Sequence, residues 1–389
     1  MAKVLFVGRW FPPRVGGIEI SLYEFYRRLP AGWVDLVLPD EPGAAAFDAG
    51  QTLPILRVGL PAGVSSDQKR ALGPLLTVAL RRLWRGGYSQ VHCGHLLTGV
   101  VGLLARRLWG LPYVVFAYGA ELTGGGLGPL KALVLRQATA VVVNSQDTKA
   151  VVVGLGVPPG RAVVIHPGVD LDRYRPDLDG GSIRRRLGLG DRPLLLTVGR
   201  LDRSSQYKGH DTVIRALPAI RQHTPDVAYV IAGAGNDGPR LAQLARETGV
   251  SDAVRFVGYV PDAELPLYFA ACDLFIMPNR RERSGSGQAT EGFGMVFIEA
   301  AACAKPVIGG NVGGTTDAIV ADRTGLLLDQ PDAAHTAAAV TALLGDPARA
   351  RLLGVQGYRR AVAHFTWDAG AQKLERVIRV IQQRQERSR

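Results

Sequence analysis

Cysteine is nearly absent from this 389-residue chain, which has only Cys93, Cys272 and Cys303. No two stand at metal-ligand spacing, and so sparse an odd set excludes a disulfide-stapled secreted scaffold and points to a reducing compartment. Long apolar runs are missing as well. The longest, near residues 96–105, is about half of the ~20 residues a bilayer-crossing helix needs. The N-terminus runs straight into Lys3-Val4-Leu5-Phe6-Val7-Gly8, a strand pattern without signal-peptide layout. The expectation is a cytoplasmic protein, at most peripheral on the inner face of the cell membrane. Catalytic triads and metal clusters find no support either. The seven histidines are scattered, only His92 and His95 being close, and there is no Gly-x-Ser-x-Gly elbow or Gly-Lys-Ser/Thr phosphate loop. No helix-turn-helix, zinc-finger or aromatic-studded strand signature speaks for nucleic acid.

What is present is a globular composition, 47% hydrophobic and 21% charged, which excludes intrinsic disorder. The length suggests two or three domains. The net charge of +12 favours an anionic partner, and composition does not choose among nucleic acid, a lipid surface and a phosphorylated substrate.

Short apolar runs alternate with helical patterns along nearly the whole chain. Strands are expected at residues 4–8, 34–38, 55–58, 90–92, 113–116, 140–144 and 162–165, and again at 194–198, 228–232, 254–257, 274–277, 306–309 and 325–328. Helices are expected between them, among others at 18–29, 211–221, 239–247 and 296–304. Such alternation implies a parallel sheet covered on both faces. Thirteen strands are too many for one comfortable twisted sheet, and residues 167–192 interrupt the pattern. The fold expected is α/β, two doubly wound Rossmann-like domains facing across a cleft, residues 1–170 and 171–366. Ligands in such sheets bind beyond the carboxyl ends of the strands.

Three segments at those ends carry chemistry. In Thr290-Glu291-Gly292-Phe293-Gly294-Met295, two glycines precede a helix, whose free N–H groups and dipole make an anion site suited to phosphate. Glu291 lies before that helix and Glu299 inside it, carboxylates that suit sugar hydroxyls. In Val198-Gly199-Arg200-Leu201, Arg200 ends a strand and Lys208 precedes a helix, two cations able to hold a diphosphate. Gly16 and Gly17 close the first strand-to-helix turn and bring bare N–H groups toward a ligand. Residues 233–238, Gly-Ala-Gly-Asn-Asp-Gly, fit the dinucleotide fingerprint. The acid wanted at the end of the next strand is missing, because Gly258-Tyr259 stand there. A glycine-lined turn around Gly235 facing the cleft is the alternative.

Together these pieces resemble the glycogen-synthase-like retaining glycosyltransferases of family four, with the GT-B fold. The match runs in order through Gly16-Gly17, Pro167-Gly168-Val169-Asp170, Val198–Leu201 with Lys208-Gly209, Glu291 through Glu299, and Asn311-Val312-Gly313-Gly314. The loop Pro278-Asn279-Arg280-Arg281-Glu282-Arg283 is similar to that of bacterial phosphatidylinositol mannosyltransferases. The resemblance implies that Arg200 and Lys208 hold the donor diphosphate with Gly16, Gly17, Gly199 and main-chain amides near Gly294, Met295 and Val296. It gives Glu299 to the ribose, Glu291 and Phe293-Gly294 to the transferred sugar, and Tyr259-Val260 to the nucleobase. It further implies a final helix, residues 367–389, that crosses back to the N-terminal domain. No cofactor or metal is expected, since Arg200, Lys208 and the helix dipole supply the positive charge. Family members carry a histidine before glycine on a central strand, contacting the sugar. Here Tyr118-Gly119-Ala120-Glu121 stands instead, so Tyr118 enters the catalytic set, with Glu121 as an alternative. A phenol donates one hydrogen bond but is no base near neutral pH.

The activity implied is transfer of a hexose, mannose by preference, from a nucleoside diphosphate (GDP-mannose) to a lipid-linked or polysaccharide hydroxyl. An amphipathic segment, residues 69–85, carries Arg81, Arg82 and Arg85. With Arg106, Arg107 and Trp109 it suggests an anionic membrane surface, or else a helix packed on its own sheet with solvated arginines. Rival readings are a nucleotide-sugar epimerase of the same fold, an NAD-dependent oxidoreductase using residues 233–238, and a non-catalytic nucleotide-binding subunit.

Overall fold

Apolar runs such as Val4-Leu5-Phe6-Val7 and Leu194-Leu195-Leu196 become strands buried on both faces, which is what a parallel sheet sandwiched by helices requires. The computed structural model describes residues 3–123, 128–284 and 287–387. The chain divides into two units, Met1–Gly168 with Trp367–Arg389, and Val169–Thr366.

The first unit holds seven parallel strands: β1 (Lys3–Val7), β2 (Val34–Pro39), β3 (Ile55–Val58), β4 (Tyr88–Cys93), β5 (Tyr113–Ala117), β6 (Ala140–Val143) and β7 (Ala162–Val164), in the order β3-β2-β1-β4-β5-β6-β7. The second holds β8 (Leu194–Val198), β9 (Ala228–Ala232), β10 (Val254–Gly258), β11 (Leu274–Met277), β14 (Val307–Gly310) and β15 (Leu326–Leu328), ordered β10-β9-β8-β11-β14-β15 and likewise parallel. Between β11 and β14 lies an antiparallel hairpin, β12 (Glu282–Ser284) and β13 (Gly287–Ala289), which the apolar pattern does not announce. Each large sheet is doubly wound. Strand order reverses beside β1 and β4 in one unit and beside β8 and β11 in the other, and crevices for ligands open at such switch points.

Alternate residues of one strand feed opposite cores. In β8, Leu194 and Leu196 join Phe275 and Met277 on one face, while Leu195 joins Tyr229 and Ile276 on the other. The helix Trp367–Arg387 belongs to the first unit, and residues 388–389 lie outside the described residues. Its Trp367, Gly370, Ala371, Leu374, Ile378 and Ile381 form one apolar stripe at helical spacing. Gly370 is needed there, because a Cβ would stand 2.3 Å from Phe25 Cε1. Arg379 covers the Trp33 ring, 4.8 Å from its centroid.

Candidate functional site

In the second unit the candidate residues gather at the carboxyl ends of β8 and β11. Beyond β8 come Gly199 and the exposed Arg200, then a 3-10 turn, Arg203–Lys208, and the helix His210–His223. Gly209 joins turn to helix at φ 77°, and a Cβ on it would stand 2.4 Å from the Pro278 carbonyl oxygen. Glycine therefore lets the Lys208 turn sit directly on the end of β11. Lys208 Nζ lies 2.7 Å from Glu291 Oε2, the two side chains being only 12% and 15% exposed. Gly199 leaves room for the lysine stem, since a Cβ there would stand 3.0 Å from Lys208 Cδ. Burial alone would lower the Lys208 pKa, but the Glu291 carboxylate and the Tyr207 oxygen outweigh it and hold the ammonium well above its ordinary value. The neighbouring His210 is pushed down to about 3 by burial and by Lys208, and its buried Nε2 has no hydrogen-bond partner.

Gly294 has φ 83° and caps the helix Met295–Ala302, whose first residues, Met295 and Val296, are partly exposed. Its main-chain N–H groups and dipole place partial positive charge at this tip. Behind it, Gly314 N donates to the Glu291 carbonyl at 2.9 Å, and a Cβ on Gly313 would stand 2.4 Å from that oxygen. Residues 311–314 thus clamp the Glu291–Gly294 turn. Phe293, expected to contact the sugar, points the other way. Its ring packs on Phe365 at 5.5 Å in the core, so only its main chain is left to face a ligand. Val260 is similarly buried, while Tyr259 beside it is 62% exposed. Glu299, in the helix body, is raised to about 7, first by burial and then by Asp262, with Arg173 opposing.

The glycine-rich turn 233–238 has a packing explanation. A Cβ on Gly233 would stand 1.9 Å from the Gly199 carbonyl oxygen, and one on Gly235 would stand 2.2 Å from the Leu201 carbonyl carbon. Leu201 N donates to Ala234 O, and Asp237 N donates to Leu201 O. The turn braces the Arg200 segment, and nothing in its geometry favours dinucleotide binding. One residue that motif reasoning passed over is Arg280. Its guanidinium reaches Asp211 at 3.0 and 3.2 Å, Thr212 and Glu282, and its N–H donates to Tyr207 O, tying the β12–β13 hairpin to the Lys208 turn. The arginine-rich loop 278–283 was the available signal.

In the first unit, the carboxyl ends of β1, β4 and β5 carry Arg9, His95 and Tyr118. Arg9 is 4% exposed and donates from Nε and Nη2 to the Ser66 carbonyl. Among the described residues no carboxylate lies within ion-pair distance of it. Trp10 Nε1 and Arg14 Nη1 both donate to Asp67, at 3.0 and 2.9 Å. Glu19 folds back over Gly16, where a Cβ would stand 2.3 Å from its Oε2, and pairs with Arg14 at 3.1 Å. Gly17 is exposed and begins the helix Gly17–Tyr26. The Tyr118 hydroxyl is buried without a hydrogen-bond partner, and burial, Glu121 and Glu19 push it well above its usual value. Glu121 accepts from Tyr118 N at 2.7 Å and is itself raised by burial. His92 is a satisfied core histidine, bonded to Tyr26 and Gln90. Among the described residues no group of three or more His, Cys, Asp or Glu is placed to hold a metal ion.

Residues 15–173 match Glycosyltransferase Family 4, and residues 181–360 match Glycosyl transferases group 1. The chain is 35% identical to a GDP-mannose-dependent alpha-(1-6)-phosphatidylinositol monomannoside mannosyltransferase of Mycobacterium tuberculosis, across 97% of this chain and 98% of that protein. It is 33% identical to a protein of the same description from Mycolicibacterium smegmatis, across 96% and 98% of the two. Identity to a D-inositol 3-phosphate glycosyltransferase of Salinispora arenicola is also 33%, across 91% and 84%. Anabaena HepE in complex with UDP shares the fold at a TM-score of 0.80 and 20% identity, covering 97% of this chain and all of that one. A sucrose-phosphate synthase from Thermosynechococcus elongatus also superposes at 0.80, with 24% identity over 98% and 99% of the chains.

Proposed function

The chain belongs to family four of the GT-B glycosyltransferases, and on that footing we propose that it moves a hexose, mannose by preference, from a nucleoside diphosphate to an acceptor hydroxyl with retention at the anomeric carbon. The observation that carries this reading is the Lys208–Glu291 pair at the glycine-capped tip of the helix Met295–Ala302. As the sugar becomes oxocarbenium-like, negative charge grows on the leaving diphosphate. Lys208, Arg200 and the amides at Gly294, Met295 and Val296 oppose that charge in advance. This arrangement asks for no metal or cofactor. Glu291 and the main chain of Phe293-Gly294 serve the sugar hydroxyls, Glu299 the ribose and Tyr259 the base. Tyr118 stays fully protonated and acts as no base.

GDP-mannose is favoured because two of the relatives named above depend on it, and an anionic acceptor because Arg9 is a buried cation with no carboxylate among the described residues within ion-pair distance. The relatives named for phosphatidylinositol mannoside and inositol phosphate support the same direction. The test is thermal stabilisation, hydrolysis and transfer across a panel of nucleotide sugars, with EDTA present throughout. GDP-mannose should raise the Tm most and be turned over. Stabilisation by none of the panel would overturn the reading, and isomerisation of a UDP-sugar without acceptor would replace it with an epimerase.

A further inference from the structure

Two sources of positive charge assigned above to the donor are already answered from within the chain. The Glu291 carboxylate is 2.7 Å from Lys208 Nζ, and Glu291 Cγ lies 3.3 Å from the point a Cβ on Gly294 would occupy, beside the helix tip. The pair is shielded, with the Tyr207 ring 5.3 Å from Nζ and Met277 Sδ 3.9 Å away. A buried ammonium is stable only while an anion faces it, so the carboxylate leaves easily only when another anion takes its place. The Glu291 main chain is clamped by Gly313 and Gly314, so exchange is confined to side-chain rotation.

We propose that Glu291 is an internal stand-in for the donor's diphosphate. It holds Lys208 until the nucleotide arrives, yields the lysine to a phosphate oxygen, and the freed carboxylate turns to the sugar hydroxyls. This rests on the diphosphate reading of Lys208 and adds a coupling to it. A nucleoside diphosphate must displace Glu291 and gives it nothing in return, whereas a nucleotide sugar supplies hydroxyls that recover the carboxylate's hydrogen bonds. Lys208 stays protonated and paired throughout, and the bare nucleoside diphosphate left after transfer is the weaker ligand.

The experiment titrates GDP and UDP by calorimetry into wild type, E291Q, K208M and the K208M/E291Q double variant, each checked for folding by thermal unfolding. The double variant removes both charges, so no buried charge is left alone to unfold it. E291Q should bind the nucleoside diphosphate about tenfold more tightly or better, and nucleotide-sugar turnover should fall. On the K208M background the same substitution should change affinity little, because the competition runs through Lys208. An unchanged or weaker affinity in E291Q overturns the proposal, as does equal tightening on both backgrounds, which would mean general repulsion of the diphosphate. Unaltered binding by K208M overturns the diphosphate reading itself, a result distinguishable from either.

Discussion

The ribose role proposed for Glu299 would carry a pH dependence. Burial and Asp262 raise it from 4.5 to about 7, so near neutrality the free protein holds a proton there that the unfolded chain has lost. Its contribution to stability is whole below about 4.5 and is lost as pH rises through about 7. The shift caps that contribution at about 3 kcal/mol. E299Q should therefore gain thermal stability relative to wild type between pH ~5 and ~8. Nucleotide affinity should move oppositely in wild type. A carboxylate accepts from both ribose hydroxyls, so binding should strengthen as pH rises through about 7 and should lose that dependence in E299Q. A pH-independent dissociation constant for wild type would remove Glu299 from the ribose. Arg200, by contrast, is exposed and braced only through its main-chain neighbours. Arg200→Ala should leave the melting curve in place and lower turnover at saturating donor by ~10²–10³, the usual loss for one oriented charge-stabilising donor. Sequence reading singled out both residues from their places after strand β8 and glycine 294. It did not find the acidity of Glu299 or the inward turn of Phe293, because Asp262, Arg173 and Phe365 come from other segments and only folding brings them near.

At the scale of elements, the thirteen runs read as strands all became strands; central ones such as β1 and β8 are buried on both faces and so almost wholly apolar, while the edge strands β3, β10 and β15 are only partly buried. The β12–β13 hairpin escaped because its short strands, Glu-Arg-Ser and Gly-Gln-Ala, carry no such run. It is held against the Lys208 turn by Arg280 and its carboxylate partners instead. Turn 233–238 shows the opposite hazard. Its glycines match a cofactor fingerprint, yet the structure uses them so that two loops touch backbone to backbone. Gly235→Ala should accordingly cost roughly 1–3 kcal/mol, since φ is 156° and the added Cβ meets Leu201. Nucleotide binding should weaken with it, because Leu201 adjoins Arg200. Denaturant unfolding and a nucleotide titration read the two effects. Wild-type values in both would mean that the turn neither braces the Arg200 segment nor touches the nucleotide.

At the scale of the molecule, part of the +12 charge lies at one edge of the first unit, on fewer free residues than their number suggests. The helices Leu72–Trp84 and Gly99–Trp109 pack against the first sheet and against each other. Arg82 faces Asp35, and Arg106 is spent on the Gln137 carbonyl. Arg81, Arg85 and Arg107 are exposed and have no ion-pair partner among the described residues. Trp84, 81% exposed, and Leu108 stand beside them in sequence. Both helices run back against their strands, so these last turns lie at the amino ends of β1, β4 and β5, away from Arg9 and Tyr118. If this edge meets an anionic leaflet, three arginines contribute about 3 kcal/mol, roughly a hundredfold in partitioning. Reversing them to glutamate should abolish flotation with vesicles containing anionic lipid. Raising salt should weaken binding by wild type as the Debye length shrinks from ~10 Å toward ~3 Å. Trp84→Ala should weaken what salt leaves, because that part is apolar burial. Transfer to a water-soluble acceptor should be untouched by all these changes, since the edge is remote from the first unit's site residues. Flotation that ignores salt and charge reversal alike would return these arginines to plain solvated surface.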